Sequence, residues 1–418
     1  MNERGRCEYN IQLVEPNTMR RIDFWAGVPL CFLVTLADRV LRAVGMKGRG
    51  HGRRPKNILF IQLAEMGTMV VAYPALRKTR ELFPDATLHF LCFGQVRSSL
   101  EMLNVIEPRH IHTIDSRSFT SLVRDTLRTW SVARQAGIDT VVNLETFVRY
   151  SSLLSYLTGA ARRVGFHRFT QEGLYTGDFL THRVMYNPHI HTGHVFLDLV
   201  HALVAPQGGI PIVKRPRAGD DLSIPGLTTD EPTAAAIWRK LGALAPGIGP
   251  SKKLVVLNPN ASKRFPMRRL PLDSYADLAT QLLDDPDVYV LVTGVAEEKP
   301  DAVHICRRVN SPRMVDLTGQ TTMMELLHLF NLSQVLITND SGPAHFACLT
   351  GIHVVVFFGP ELPDRYRPLA RSYDVVYTGF TCSPCVSPYN QRLTACNDNL
   401  CLKTIDVREV GALVRRRL

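Results

Sequence analysis

Two rounds of strand and helix alternation, separated by a loose Pro/Gly/Asp-rich stretch, predict a two-lobed α/β protein with parallel sheets covered by helices. In the first round, apolar β-rich runs at 57–63 ("NILFIQL"), 87–93 ("TLHFLCF") and 140–145 ("TVVNLE") flank segments with helical periodicity such as "VVAYPALRKTRELF". The stretch "KRPRAGDDLSIPGLTTDEP" (214–232) reads as a linker. The pattern then restarts with "KLVVLNPN", a helix from about Leu272, "VYVLVTG", "QVLITND", a helix from Gly342 and "HVVVFFG". These boundaries give an N-terminal segment at 1–56, lobes at 57–215 and 233–380 joined by a linker at 216–232, and a final element at 381–418. Ligands of such a protein belong beyond the carboxyl ends of the strands, in the cleft between lobes.

The chain has 418 residues, long enough for two cores, and its 45% hydrophobic and 21% charged composition is that of a globular protein. Lys plus Arg (49) exceed Asp plus Glu (38) by 11, which suggests an anionic partner: a membrane surface, a phosphorylated substrate or a nucleic acid. No basic stripe interleaved with aromatics and no nucleic-acid module is present, so nucleic acid ranks last and is not expected as a partner.

Residues 1–56 hold 11 Lys/Arg against 5 Asp/Glu, so more than half of the excess lies there. "FWAGVPLCFLVTLA" (24–37) is an apolar run of 14, too short to span a bilayer as a helix. Thr35, Asp38, Arg39 and Arg42 follow at helical spacing and form one polar stripe on an otherwise apolar helix. With Arg20, Arg21, Lys47, Arg49, Arg53 and Arg54 as flanks, the segment suits the anionic inner face of a membrane; the alternative is a helix packed on the first core.

"LAEMGTMVVAYPALR" (63–77) follows the first strand, turns at Gly67 and offers Glu65 and Thr68 as its reactive side chains. Three loops of the second lobe add chemistry. In "TNDSGPAHFACLTG" (338–351), Asp340 can cap a helix that Ser341, Gly342 and Pro343 open, and free N–H groups there suit a pyrophosphate. His345 lies one turn further; an ordinary capped helix with a surface histidine is the other reading. In "NPNASKRFPMRRLP" (258–271), Lys263, Arg264, Arg268 and Arg269 fit phosphate oxygens, or else make a solvated face. "VTGVAEEKP" puts Gly294, Glu297 and Glu298 where a carboxylate could accept ribose hydroxyls.

Together, "LTGQTTMMELLHLFNLSQVLITNDSGPAHFACLTGIHVVVFFGP" resembles the donor-binding region of glycosyltransferase family 9, the ADP-heptose:lipopolysaccharide heptosyltransferases. "NPNASKRFPMRRLP" resembles that family's Asn-Pro-Gly-Ala-Ser…Lys-x-Trp-Pro element. The opening stretch resembles its Leu-Ser-x-x-Gly-Asp…Pro-Ala-Leu, and "LTGAARRVGFHR" (157–168) a segment late in its first domain; coverage is roughly 57–410. The resemblance implies a GT-B fold of two Rossmann-like lobes, with the acceptor on the first and the nucleotide-sugar donor on the second. It also implies inverting chemistry without a metal. By position, Asp340, Ser341, Gly342 and His345 would contact the donor's sugar and diphosphate. Ser262 and Lys263, Arg264 or Arg268 would neutralise the diphosphate, and Glu297 or Glu298 would hold the nucleoside. Gly67 and Arg149 fall on the acceptor side.

One departure matters. Family members place a catalytic Asp directly after the turn glycine, and here Thr68 stands there. A threonine hydroxyl is far too weakly basic, which makes Glu65, three residues earlier, the candidate base; otherwise Glu65 caps the following helix. Outside that core, Cys382, Cys385, Cys396 and Cys401 follow a C-x2-C-x10-C-x4-C pattern. It fits one structural zinc, two disulfides, an iron–sulfur cluster or plain thiols, with a cytoplasmic setting favouring thiolates and metal. His189, His191 and His194 read as an acceptor-side polar surface rather than a metal site. The expected protein is thus a cytoplasmic glycosyltransferase, peripheral on the inner membrane, that needs no cofactor for catalysis and glycosylates a lipid-linked or lipopolysaccharide acceptor. A nucleotide-sugar-binding scaffold without turnover, or an epimerase or hydrolase of the same fold, are the alternatives.

Overall fold

The computed structural model describes residues 16–45, 54–168, 173–205, 215–261 and 265–418. They form two compact units. One comprises the described residues within Met1–Ala64, Arg77–Tyr186 and Asp198–Ile212; the other those within Glu65–Leu76, Asn187–Leu197 and Val213–Leu418.

In chain order the first half contains α1 (Pro16–Trp25), α2 (Gly27–Ala43), β1 (Asn57–Ile61), α3 (Met66–Leu82), β2 (Thr87–Phe93), α4 (Arg97–Met102) and β3 (Ile111–Ile114). It continues with α5 (Phe119–Gln135), β4 (Thr140–Asn143), α6 (Arg149–Leu157), β5 (Arg162–His167), β6 (His182–Met185) and α7 (Thr192–His201). The second half contains α8 (Glu231–Leu244), β7 (Lys253–Asn258), α9 (Leu272–Leu282), β8 (Val288–Val292), α10 (Lys299–Val309), β9 (Met314–Asp316) and α11 (Met323–Asn331). It ends with β10 (Val335–Asn339), α12 (Gly342–Phe346), β11 (His353–Phe358), α13 (Pro363–Tyr366), β12 (Tyr373–Tyr377), α14 (Leu400–Lys403) and α15 (Val407–Arg415).

Each sheet has six strands, in the orders β3-β2-β1-β4-β5-β6 and β12-β11-β10-β7-β8-β9, and every pairing is parallel. Read from β9, the second order repeats the first. The expected strands are all present, because near-continuous apolar runs satisfy strands buried on both faces. The repeated order puts a switch point between β1 and β4 in one sheet and between β7 and β10 in the other, and this is where open α/β sheets bind ligands.

Two expectations about the N-terminal part change. Thr18–Ala43 is a 26-residue helical stretch long and apolar enough to cross a membrane, where the 14-residue apolar run alone falls short. Of its polar stripe, Thr35 and Asp38 face the protein while Arg39 and Arg42 are exposed. The Thr35 hydroxyl donates to the Cys31 carbonyl (2.7 Å) and accepts from the Asp178 amide (2.9 Å), while Asp38, 2% exposed, receives Arg42 at 2.6 Å. The apolar side, with Leu30, Phe32, Leu33, Leu36 and Val40, is the exposed one. The helix is therefore attached through Thr35 and Asp38 together with the small residues Gly27 and Cys31, and not through its large apolar side chains.

Arg149, expected on the acceptor side, is instead a fastener for α1. It is 3% exposed, and its Nη1 lies 3.1 Å from Asp23 Oδ2, while the Tyr150 amide donates to the other Asp23 oxygen at 2.9 Å. Its guanidinium also lies 5.4 Å from the Phe24 ring centroid. Gly27 permits this packing, since a Cβ there would sit 2.8 Å from Arg149 Cβ. Removing one member of such a buried pair leaves the other charge uncompensated and costs about 3 kcal/mol or more. Arg149→Met is therefore expected to lower the thermal unfolding midpoint, with Arg149→Met/Asp23→Asn recovering most of the loss. A double variant no more stable than the single would show that the pair carries no such role.

Candidate active site

The second sheet's switch point is built by side chains that join its loops. Asn339, at the end of β10, donates to the Pro259 carbonyl (2.9 Å) and accepts from the Leu270 amide (2.9 Å), so the loops after β7 and β10 are fixed together. Asp340 follows it and pairs with Arg268 Nη1 at 3.2 Å. Arg268 lies over the Phe265 ring (4.6 Å) and also 3.6 Å from Glu361, which in turn meets Arg365 at 2.9 Å. Burial comes first among the influences on Glu361 and pushes its pKa up, against the lowering effect of Arg365, Arg268 and Arg392.

The Glu65–Leu76 segment belongs to this same unit and brings the opening turn to that cluster. Glu65 has φ 74°, a left-handed conformation that non-glycine residues seldom adopt. Its carboxylate accepts from the Thr68 hydroxyl (3.0 Å) and from Arg392, whose other Nη donates to the Tyr366 hydroxyl (2.7 Å). Burial alone would raise the Glu65 pKa, but the charge and hydrogen bond of Arg392 outweigh it and hold the value at about 2. Gly67 is required by close approach: a Cβ there would lie 2.6 Å from His345 Cδ2. His345 is buried, with Nδ1 unbonded, and desolvation lowers its pKa, so it stays neutral at pH 7 and can offer either a donor or an acceptor to a ligand.

The other expected residues divide. Ser262, Lys263 and Arg264 lie outside the described residues. Ser341 and Gly342 open α12, but this helix has five residues and Asp340 does not cap it, because its carboxylate is engaged by Arg268. Glu298 folds back under Gly294 and accepts from the Val295 amide (2.9 Å), leaving Glu297 as the exposed carboxylate of that loop. His191 is not a surface group: it is buried, bonded to the Arg367 carbonyl at 2.9 Å, and pushed down to about 3 mainly by burial.

The four cysteines of the C-x2-C-x10-C-x4-C pattern lie near one another, since Cys385, Cys382 and Cys396 all act on the Cys401 thiol. Cys382, Cys385, Cys396 and Cys401 are all free, and among the described residues no three His, Cys, Asp or Glu groups are placed to hold a metal. Cys401 is buried beside Gly359, its pKa raised to about 11 first by burial and then by the other three thiols; Cys382 is exposed and Cys396 donates to the Asp398 carbonyl.

Sequence reasoning missed Glu361, Arg365, Tyr366 and Arg392. Only Glu361 and Arg365 left a local sign, an i,i+4 acid–base pair after Gly359-Pro360. Glu65, Asp340 and Glu361 face Arg268, Arg365 and Arg392, so the cluster is charge-balanced.

Two parallel six-stranded sheets of one order, each an α/β Rossmann-like unit, define a protein of the GT-B class. Residues 127–394 match the family described as glycosyltransferase family 9 (heptosyltransferase), and the chain belongs to it. It is 30% identical over 114 residues to lipopolysaccharide heptosyltransferase 2 of Escherichia coli, a match covering 27% of this chain and 32% of that protein. The aligned stretch thus spans about a third of that relative's length. Lipopolysaccharide core heptosyltransferase OpsX of Haemophilus influenzae is 20% identical over 325 residues, covering 77% of this chain and 84% of its own. Among solved structures, the ADP-heptose lps heptosyltransferase II of E. coli superposes with TM-score 0.65 at 18% identity, covering 86% of this chain and 98% of that one.

The Glu65–Arg392 pair has a pH signature. A depressed carboxylate pKa stabilises the fold fully above the ordinary value of 4.5, and that contribution is lost as pH falls from 4.5 toward 2. The stability difference between the wild type and Arg392→Met should therefore shrink over this window in unfolding series at stepped pH. A constant difference would mean that Arg392 acts through packing on Tyr366 alone.

Proposed function

We propose that the protein is an inverting glycosyltransferase that moves a heptose-like sugar from an ADP-heptose-like donor to a lipid-linked, lipopolysaccharide-core-like acceptor, with no metal in the chemistry. The observation that carries this reading is the meeting of Glu65 and Thr68 with His345, Asp340 and Arg268 in one compact unit. An acceptor hydroxyl would attack the anomeric carbon opposite the diphosphate. The new C–O bond forms as the bond to the diphosphate oxygen breaks, and the hydroxyl proton passes to Glu65. Because the described cluster is already charge-balanced, the leaving diphosphate must draw on further cations, and Lys263 and Arg264 are assigned that work, with Arg268 beside them. A diphosphate that attracts Arg392 would also release Glu65 from its partner and raise its basicity, so that donor binding prepares the base. Glu297 is assigned to the ribose hydroxyls. The protein would work on the cytoplasmic face of the inner membrane, held there by the outward apolar side of α1 and α2.

The tie to Arg392, together with Thr68 in place of an aspartate, favours a second reading in which a nucleotide sugar is bound without turnover. Glu65→Gln separates the two. If Glu65 is the base, transfer from ADP-heptose should fall by about 100-fold or more, while calorimetric titration with ADP and ADP-heptose stays unchanged. An unaltered rate would remove Glu65 from the chemistry. Asp340→Ala should instead weaken donor binding itself.

A further inference from the structure

Two helices of the first unit are amphipathic the wrong way round for a soluble protein. On α2 the buried positions are Gly27, Cys31, Thr35 and Asp38. On α5 they are Asp125, Thr129 and Ala133, while Phe119, Val123, Leu127 and Trp130, at helical spacing, are exposed. The helices share one layer. α5 and α6 cross from β3 to β4 and from β4 to β5, and right-handed crossovers in this strand order put both on the same face of the sheet. Thr126 of α5 bonds the Tyr150 hydroxyl of α6 at 2.6 Å, and α2 packs along α6. Their outer sides therefore make one continuous surface, and α1, α2 and α5 hold more than half of the large exposed apolar side chains among the described residues.

Charge on this surface has one sign. Asp23, Asp38 and Asp125 point inward, with side chains 14%, 3% and 11% exposed. The outward charged residues of the three helices, Arg21, Arg39, Arg42, Arg124, Arg128 and Arg134, are all arginine. Two copies meeting here would bring arginine against arginine. A sheet of anionic headgroups over an apolar interior complements both features.

We propose that α5 is a second membrane-docking helix, which with α2 seats the first unit flat on an anionic phospholipid leaflet. This rests on the membrane placement proposed above and extends it to a helix some 80 residues further along the chain. The test is flotation of the full-length protein with vesicles of pure phosphatidylcholine or of phosphatidylcholine and phosphatidylglycerol at 3:1. Wild type is compared with Leu33→Glu on α2, Leu127→Glu on α5 and the charge variant Arg128→Glu, all at exposed positions that leave the core intact. Binding is expected on the anionic vesicles, reduced about tenfold by either Leu variant, as loss of one buried side chain implies, and severalfold by Arg128→Glu. If Leu33→Glu alone lowers binding, α5 is not a docking helix, although the placement through α2 stands. If wild type binds neither vesicle, both readings fall. If it also sediments as a dimer that Leu127→Glu turns to monomer, the surface joins two copies.

Discussion

Charges buried at the carboxyl end of the second sheet must be neutralised where they lie, and this requirement organises the candidate site. Asp340 and Glu361 are nearly or wholly removed from solvent, and each would be costly without a cation. Arg268 meets that need from the segment after β7 and Arg365 from α13, and Arg392 does the same for Glu65 from the segment after β12. The Arg268 and Arg392 pairings tie segments that are distant in sequence. The loops after β7, β10 and β11 and the turn ahead of α3 thus share one electrostatic frame.

The frame also explains why the turn at 63–77 differs in kind from a simple strand-to-helix connection. Gly67 allows the backbone to come against His345, and the left-handed Glu65 directs its carboxylate to Thr68 and Arg392. A threonine following the glycine is then a hydrogen-bond donor to the carboxylate and not a replacement for it. The carboxylate of this turn stands three residues upstream of that position, and Arg392 holds its pKa down.

Most of the fold was legible in the sequence because buried parallel strands advertise themselves as short apolar runs, as "TLHFLCF" and "HVVVFF" do. The loops with chemistry were legible where small residues and charges followed those runs, as around Asp340 and Arg268. Partners supplied by distant sequence were not. Nothing near residue 392 announces a contact with residue 65, and nothing in "FVRYSS" shows that Arg149 is buried against Asp23. The cysteine spacing was equally silent about burial: of four thiols close in sequence, Cys401 is buried and Cys382 exposed.

The N-terminal helices show the same limit in a form that bears on function. Periodicity reveals that α2 has a polar stripe, but a stripe has two possible partners, water or protein, and the pattern is identical in both cases. What decides is whether the domain offers complementary polar groups. The first unit does so, through the loop at Tyr175–Asp178 and Arg163, so Thr35 and Asp38 turn inward and the apolar side is left outside. A helix held by hydrogen bonds and ion pairs can keep an apolar face exposed without losing its attachment. That separates the energy that fixes the helix to the protein from the apolar area left exposed, and α5, which buries Asp125 and Thr129 in the same manner, repeats the arrangement.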